Sequence, residues 1–279
     1  FIYFSDDSCV QIHGVVYNMD IASCDASHGP ATFDAWLTRS TGRAHNLMSR
    51  LLQQLKTDLK LRTRGGAQKI RLKPRRHLLY SGTTLTTAHN GSANCAIFAR
   101  IVHNRAVTVE EIVQAAFEVG YRVTLTRCDD MSDCQFLKHS PYVLDGRIIP
   151  VLNTGVVLRA LGTCRGDLPR GDIREQARLF NSGLSKGFNS GYVTSIQQML
   201  VVKFGSDGII DKTYLPYGYT VGSVLGQVSD EFIIRRYRLT AIELDELKDL
   251  LWTADFGDVI GCSASHKILE LDYGLGYLF

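Results

Sequence analysis

The chain opens with two short apolar runs joined by an acidic turn, and this pattern constrains the fold more than any other segment. In Phe1-Ile-Tyr-Phe-Ser-Asp-Asp-Ser-Cys-Val-Gln-Ile12, Ile2 and Phe4 lead in and Val10 and Ile12 lead out. Ser5, Asp6 and Asp7 between them are residues suited to tight turns, so the segment reads as strand, turn, strand. Val15 to Ile21 reads as a third strand with Asp20 near its end, and Asp25 follows after Ile-Ala-Ser-Cys. If the three strands are neighbours in one sheet, Asp6 and Asp20 point into one small space. Two carboxylates that close repel, and they demand a proton or a cation. A cluster of hard oxygen donors favours Mg²⁺ or Mn²⁺.

Further segments give that metal a context. Tyr80-Ser-Gly-Thr-Thr-Leu-Thr-Thr-Ala-His-Asn90 carries the spacing Ser-Gly-x-x-x-Thr-x-x-x-Asn, and Asp20-Ile-Ala-Ser-Cys-Asp25 the spacing Asp-x-x-x-x-Asp. Ala116 to Thr126 reads as a helix running through a glycine into a strand, and Cys134-Gln-Phe-Leu-Lys138 as a short hairpin. These segments resemble motifs B, A, D and E of viral RNA-dependent RNA polymerases. Ser5-Asp6-Asp7 resembles motif C, in the variant with Ser where many relatives have Gly. The order here is C, A, B, D, E, similar to the permuted polymerases of birnaviruses and permutotetraviruses. No acidic hairpin lies between the motif B helix (Ser92 to about His103) and motif D, where the usual order would place one. Moving a hairpin along the chain alters connections but not where its carboxylates sit, because antiparallel neighbours need only short links.

At 279 residues the chain has room for one large domain or two modest ones. Its apolar share of 45% and charged share of 21% are those of an ordinary globular chain. Beginning at Phe1, inside what reads as a core strand, it reads as a piece of a longer polyprotein or polymerase. No apolar run approaches the ~18 residues of a membrane span, and no signal peptide is evident. The seven Cys are scattered, which fits a reducing compartment better than a disulfide framework. A net charge of +3 permits nucleic-acid binding without demanding it. No phosphate-loop sequence supports an ATPase or helicase. Cys128, Cys134 and His139 match no common zinc spacing.

The expected fold class is α+β: a right-hand polymerase palm, an antiparallel sheet with helices, plus partial fingers and a helical thumb. Residues 1–30 hold the C hairpin and A strand, 31–80 a fingers excursion, 81–150 the palm motifs B, D and E, and 151–279 the thumb. Apolar spacing from Thr32 to Leu61 reads as helical, as do Val156 to Leu161, Ile173 to Phe180, Tyr192 to Val202 and Ala241 to Trp252. Lys69 to Arg76 alternates basic and apolar residues, so a strand there places Lys69, Arg71 and Lys73 on one face.

The resemblance implies template-directed RNA synthesis by two-metal nucleotidyl transfer. Asp6 and Asp20 would bridge two Mg²⁺ or Mn²⁺ ions, with Asp7 beside them. Asp25 and Asn90 would recognise the ribose 2′-hydroxyl, with Asn90 donating its amide to Asp25 and Asp25 accepting from the sugar. Ser81, Gly82 and Thr86 would shape the nucleotide pocket. Lys138, Lys69, Arg71 and Lys73 would meet RNA phosphates. The implied partners are RNA template and primer, ribonucleoside triphosphates and other viral replication proteins, in a replication complex of the host cytoplasm or inside the virion. Motif D lacks the Lys proposed as general acid in relatives; Arg127 is nearby, and its guanidinium is a poor proton donor. No convincing motif F is present. Taken alone, a Ser-Asp-Asp turn is most often solvated loop, and Lys69 to Lys73 a solvated strand face. Two rival readings are a non-catalytic RNA-binding module of the same fold and a reverse transcriptase.

Overall fold

The computed structural model describes residues 1–55, 59–62, 69–72, 79, 85–161, 171–189, 191–209 and 223–274. It is a mixed α+β chain with a small antiparallel sheet. It divides into two compact units, Phe1–Asp129 and Asp130–Phe279.

In the first unit, β1 (Ile2–Phe4), β2 (Asp7–Ile12) and β3 (Val15–Ile21) form a meander. Then come α1 (Cys24–Ser27), α2 (Pro30–Arg39), α3 (Gly42–Gln54), a hairpin of β4 (Leu59–Arg62) and β5 (Lys69–Leu72), α4 (Thr86–Asn104), α5 (Val109–Glu118) and β6 (Val123–Arg127). The sheet order is β1-β2-β3-β6, all antiparallel. Its register sorts the side chains. Val10 pairs with Tyr17 and Met19 with Leu125, so these residues share one face. That face packs on Ala93, Ile97 and Ile101 of α4 and Ile112, Ala115 and Ala116 of α5, forming the unit's main core. Alternation puts Asp20 on the opposite, uncovered face, between buried Met19 and Ile21. Asp7, one register step beyond the Ser8–Met19 pair, lies across from it.

The expected helix from Thr32 to Leu61 is corrected here. It breaks at Ser40 and Thr41, both extended, and Thr41 serves as the N-cap of α3. Ser and Thr compete with helical backbone bonds and favour such ends. Leu59 and Leu61 belong to β4, where they alternate with Lys60 and Arg62 in a period-two pattern.

In the second unit, a single 3₁₀ turn at Met131–Asp133 leads to the hairpin β7 (His139–Leu144) and β8 (Arg147–Leu152), then α6 (Thr154–Leu161) and α7 (Ile173–Phe188). The order continues with β9 (Gly191–Val193), α8 (Ser195–Phe204), β10 (Val224–Gln227), α9 (Asp230–Tyr237), α10 (Ala241–Thr253) and α11 (Ser263–Tyr273). β9 and β10 pair in parallel, so Tyr192 lies in a strand and the helix expected from it begins at Ser195. The core gathers Leu184, Phe188, Ile196, Leu200, Ile233, Leu244, Leu247 and Ile268, all at most 4% exposed. Thr194 with Gln197 and Thr240 with Glu243 form capping boxes that fix where α8 and α10 begin. No described helix is long and apolar enough to cross a membrane.

Candidate active site

The front turn is built from two residues, Ser5 and Asp6, between the paired Phe4 and Asp7. Ser5 alone takes positive φ (56°), at the position where a turn of this type ordinarily has Gly. Asn94 of α4 donates its side-chain amide to the Ser5 carbonyl at 2.8 Å, pinning the turn to the helix under the sheet. Ser5→Gly should therefore relieve a left-handed penalty of about 1–2 kcal/mol, offset by about 0.5–1 kcal/mol of extra glycine chain entropy. Thermal melting is expected to show unchanged or slightly raised stability; a clear loss would mean that the serine hydroxyl has a structural role of its own.

The turn holds Asp6 at the sheet's end, where it lines one cavity of about 400 Å³ together with Asp20 and Asp25. Ser23, with φ 48°, turns the chain sharply out of β3 and into α1, which swings Asp25 back toward Asp20. Cys24 lies in the same wall. Burial and then the charges of Asp6, Asp25 and Asp20 push its thiol up to about 12. Asp6 and Asp20 are exposed and Asp7 is half-buried.

Do these residues suit a divalent ion? Among the described residues, no group of three or more His, Cys, Asp or Glu is placed to hold a metal ion. A closed protein cage of the kind that suits Ca²⁺ or Zn²⁺ is therefore not what this cavity offers. Mg²⁺ is commonly held by one or two carboxylates, its remaining positions filled by water and substrate phosphates. An exposed acid pair on the rim of a cavity matches that donor set.

Asp25 is fixed from the other side. Asn90 of α4 donates Nδ2 to Asp25 Oδ1 at 2.8 Å, across a sequence separation of 65 residues. The far end of the same amide is held by His28, whose Nε2 lies 2.9 Å from Asn90 Oδ1. His28 Nδ1 meets the Tyr121 hydroxyl at 3.1 Å, and Thr32 Oγ1 lies 3.1 Å beyond. His28, Asn90 and Tyr121 are each at most 3% exposed. Burial lowers the basicity of His28, which favours the neutral ring. Reading the sequence did not single out His28 or pair it with Tyr121. The one local signal was a His three residues after Asp25, and only the fold brings Tyr121 beside it.

The remaining expected residues fall as follows. Thr86 is half-buried in the first turn of α4, four residues before Asn90. Lys69 and Arg71 are exposed on β5, a strand as expected. Ser81, Gly82 and Lys73 lie outside the described residues. Lys138 sits in a two-residue turn with Leu137, both at positive φ. Its ammonium donates to the Asp272 carbonyl (3.1 Å) and lies 4.8 Å from the Tyr273 ring centroid. It is thereby committed to the end of α11 rather than extended into solvent. Arg127 forms an exposed ion pair with Asp129 at 3.2 Å. Compared with protein-family models, curated proteins and solved structures, the chain matches none.

Proposed function

We propose that this chain is the palm and adjoining region of an RNA-dependent RNA polymerase with permuted motifs, adding ribonucleotides to an RNA 3′ end. One observation carries the reading. Carboxylates from the front hairpin (Asp6), the third strand (Asp20) and the short helix α1 beyond it (Asp25) share one cavity, and Asn90 from a distant helix is bonded to the last of them. A coincidental Asp-Asp turn has no reason to collect the other elements of that set.

In this reading Asp6 and Asp20 would hold the divalent ions, with Asp7 adding negative potential beside them. The ions, when bound, would favour the ionised primer 3′-hydroxyl and neutralise the pyrophosphate leaving group. The protein's own part is placement. The β-meander holds Asp6 in the turn at the sheet's end and Asp20 on the uncovered face, and the Asn90–Asp25 pair would present an acceptor to a sugar hydroxyl. A polymerase built to accept a 2′-hydroxyl gains from that pair, whereas a reverse transcriptase must reject the same group. Proton donation to the leaving group has no assigned side chain.

Two measurements test the proposal. Titration with Mn²⁺ in a calorimeter should give binding heat that Asp6→Ala removes. Primer extension by the full natural polypeptide should prefer ribonucleotides over deoxynucleotides. Absence of both the heat and its loss on Asp6→Ala would favour a non-catalytic RNA-binding module, and a deoxynucleotide preference a reverse transcriptase.

A further inference from the structure

We infer that His28 is a positioning residue that dictates which end of the Asn90 amide faces Asp25, and through it the discrimination between ribose and deoxyribose. The inference rests on the polymerase reading above and adds to it a residue outside the resembling motifs.

The argument is one of donors and acceptors. A side-chain amide is nearly symmetric in shape, so packing alone does not choose between its two orientations. The Asp25 carboxylate accepts, so the Asn90 NH₂ must face it, at 2.8 Å. The Asn90 carbonyl then faces His28 Nε2 at 2.9 Å, and that nitrogen must carry the proton. His28 Nδ1 is left as an acceptor, and the Tyr121 hydroxyl, 3.1 Å away, must donate to it. Tyr121 Oη is then free to accept from Thr32 Oγ1 at 3.1 Å. Every polar atom along this line is used, and each step fixes the next. The neutral imidazole favoured by burial is the form that can donate at one nitrogen and accept at the other. Phe33 and His89 pack around the ring at centroid distances of 6.2 and 5.8 Å, which holds its plane.

Remove the Nε2 donor and the amide keeps only one of the two partners that set its orientation, the Asp25 carboxylate. A flipped Asn90 would aim its carbonyl at the Asp25 carboxylate. Asp25 would then turn away, and the acceptor offered to a 2′-hydroxyl would move.

Two variants that both delete the imidazole separate this role from a general loss of packing. His28→Gln keeps an N–H donor near the Nε2 position, and His28→Asn keeps a polar group only near Nδ1. In primer extension by the full natural polypeptide, H28N should lower the ribonucleotide preference in kcat/KM by about tenfold, the scale of one buried hydrogen bond, while H28Q retains most of it. Equal discrimination in both variants and the wild type would overturn the inference. So would equal loss in both. If Asp25→Ala and Asn90→Ala also leave the preference unchanged, the polymerase sugar clamp itself fails, and the role of His28 falls with it. A readout independent of turnover is the ¹⁵N resonance pair of His28 in the wild-type protein. Protonation at Nε2 with a bare Nδ1 is expected, and the reverse tautomer would refute the positioning role whatever the enzyme does.

Discussion

Replacing Asp20 with Asn is expected to cut template-directed incorporation by a factor on the order of 10³ or more. The substitution keeps shape and removes one charge from a site whose proposed work is electrostatic. Holding divalent ions at a reacting phosphate supplies several kcal/mol of transition-state stabilisation, and each 1.36 kcal/mol lost is about tenfold in rate. Folding should be nearly untouched, within about 0.5 kcal/mol, because the side chain is exposed on the uncovered face of β3. The same variant has a signature that needs no turnover. Cys24 is held up to about 12 by burial and by Asp6, Asp25 and Asp20 together. Neutralising one of those acids makes the thiolate less unfavourable, so the thiol pKa should fall, read as alkylation rate against pH. An unchanged Cys24 titration would mean that burial and the other two acids set the thiol's shift and that the Asp20 charge does not reach it. Unchanged incorporation with a shifted thiol would keep the geometry and remove the catalytic role.

The sheet was legible because its signals are local. Two-residue turns at Ser5-Asp6 and His13-Gly14 sit between runs of alternating side chains, and such turns fix register. The helix–Gly–strand passage through Gly120 into β6 was legible for the same reason. The Asp25–Asn90 link was reachable only through motif spacing, since nothing local ties residues 65 positions apart. Other elements hid behind misleading chemistry. α9 carries Phe232 and Ile233, but its buried face is completed by Arg236, a charge that periodicity assigns to solvent. α11 buries Ser265 and Asp272 beside Ala264 and Ile268, so its inner stripe reads as mixed rather than apolar. Leu59 and Leu61 extended a leucine pattern that seemed helical until β5 supplied them a pairing partner. The Lys138 link to the Asp272 carbonyl spans 134 residues, so no local pattern announces it.

Asp272→Ala should be the most damaging single change in the second unit, lowering its stability by about 3–5 kcal/mol, the cost of stranding one member of a buried ion pair. The Arg236 and Asp272 side chains are 1% and 0% exposed and meet at 2.8 Å. Asp272 also accepts from the Tyr237 hydroxyl (2.8 Å) and the Gly155 amide (2.9 Å), and Tyr237 in turn accepts from the Thr154 amide (2.9 Å). One carboxylate thus ties α11 to α9 and to the start of α6. The fit is close enough that a Cβ on Gly155 would come within 2.5 Å of Asp272 Oδ2, so residue 155 has no room for alanine. Alanine at 272 leaves the Arg236 guanidinium buried with only neutral acceptors, the Ser132 carbonyl and Gln135 Oε1. Removing both charges should hurt less than removing one. An Arg236→Met, Asp272→Leu pair deletes the desolvation cost along with the attraction, and such replacements are often neutral or stabilising. Urea unfolding of the two singles and the double gives the coupling between them. If Asp272→Ala loses less than about 1 kcal/mol, or the double loses the sum of the singles, the network is not the unit's keystone, and its stability rests instead on the apolar core around Ile233 and Ile268.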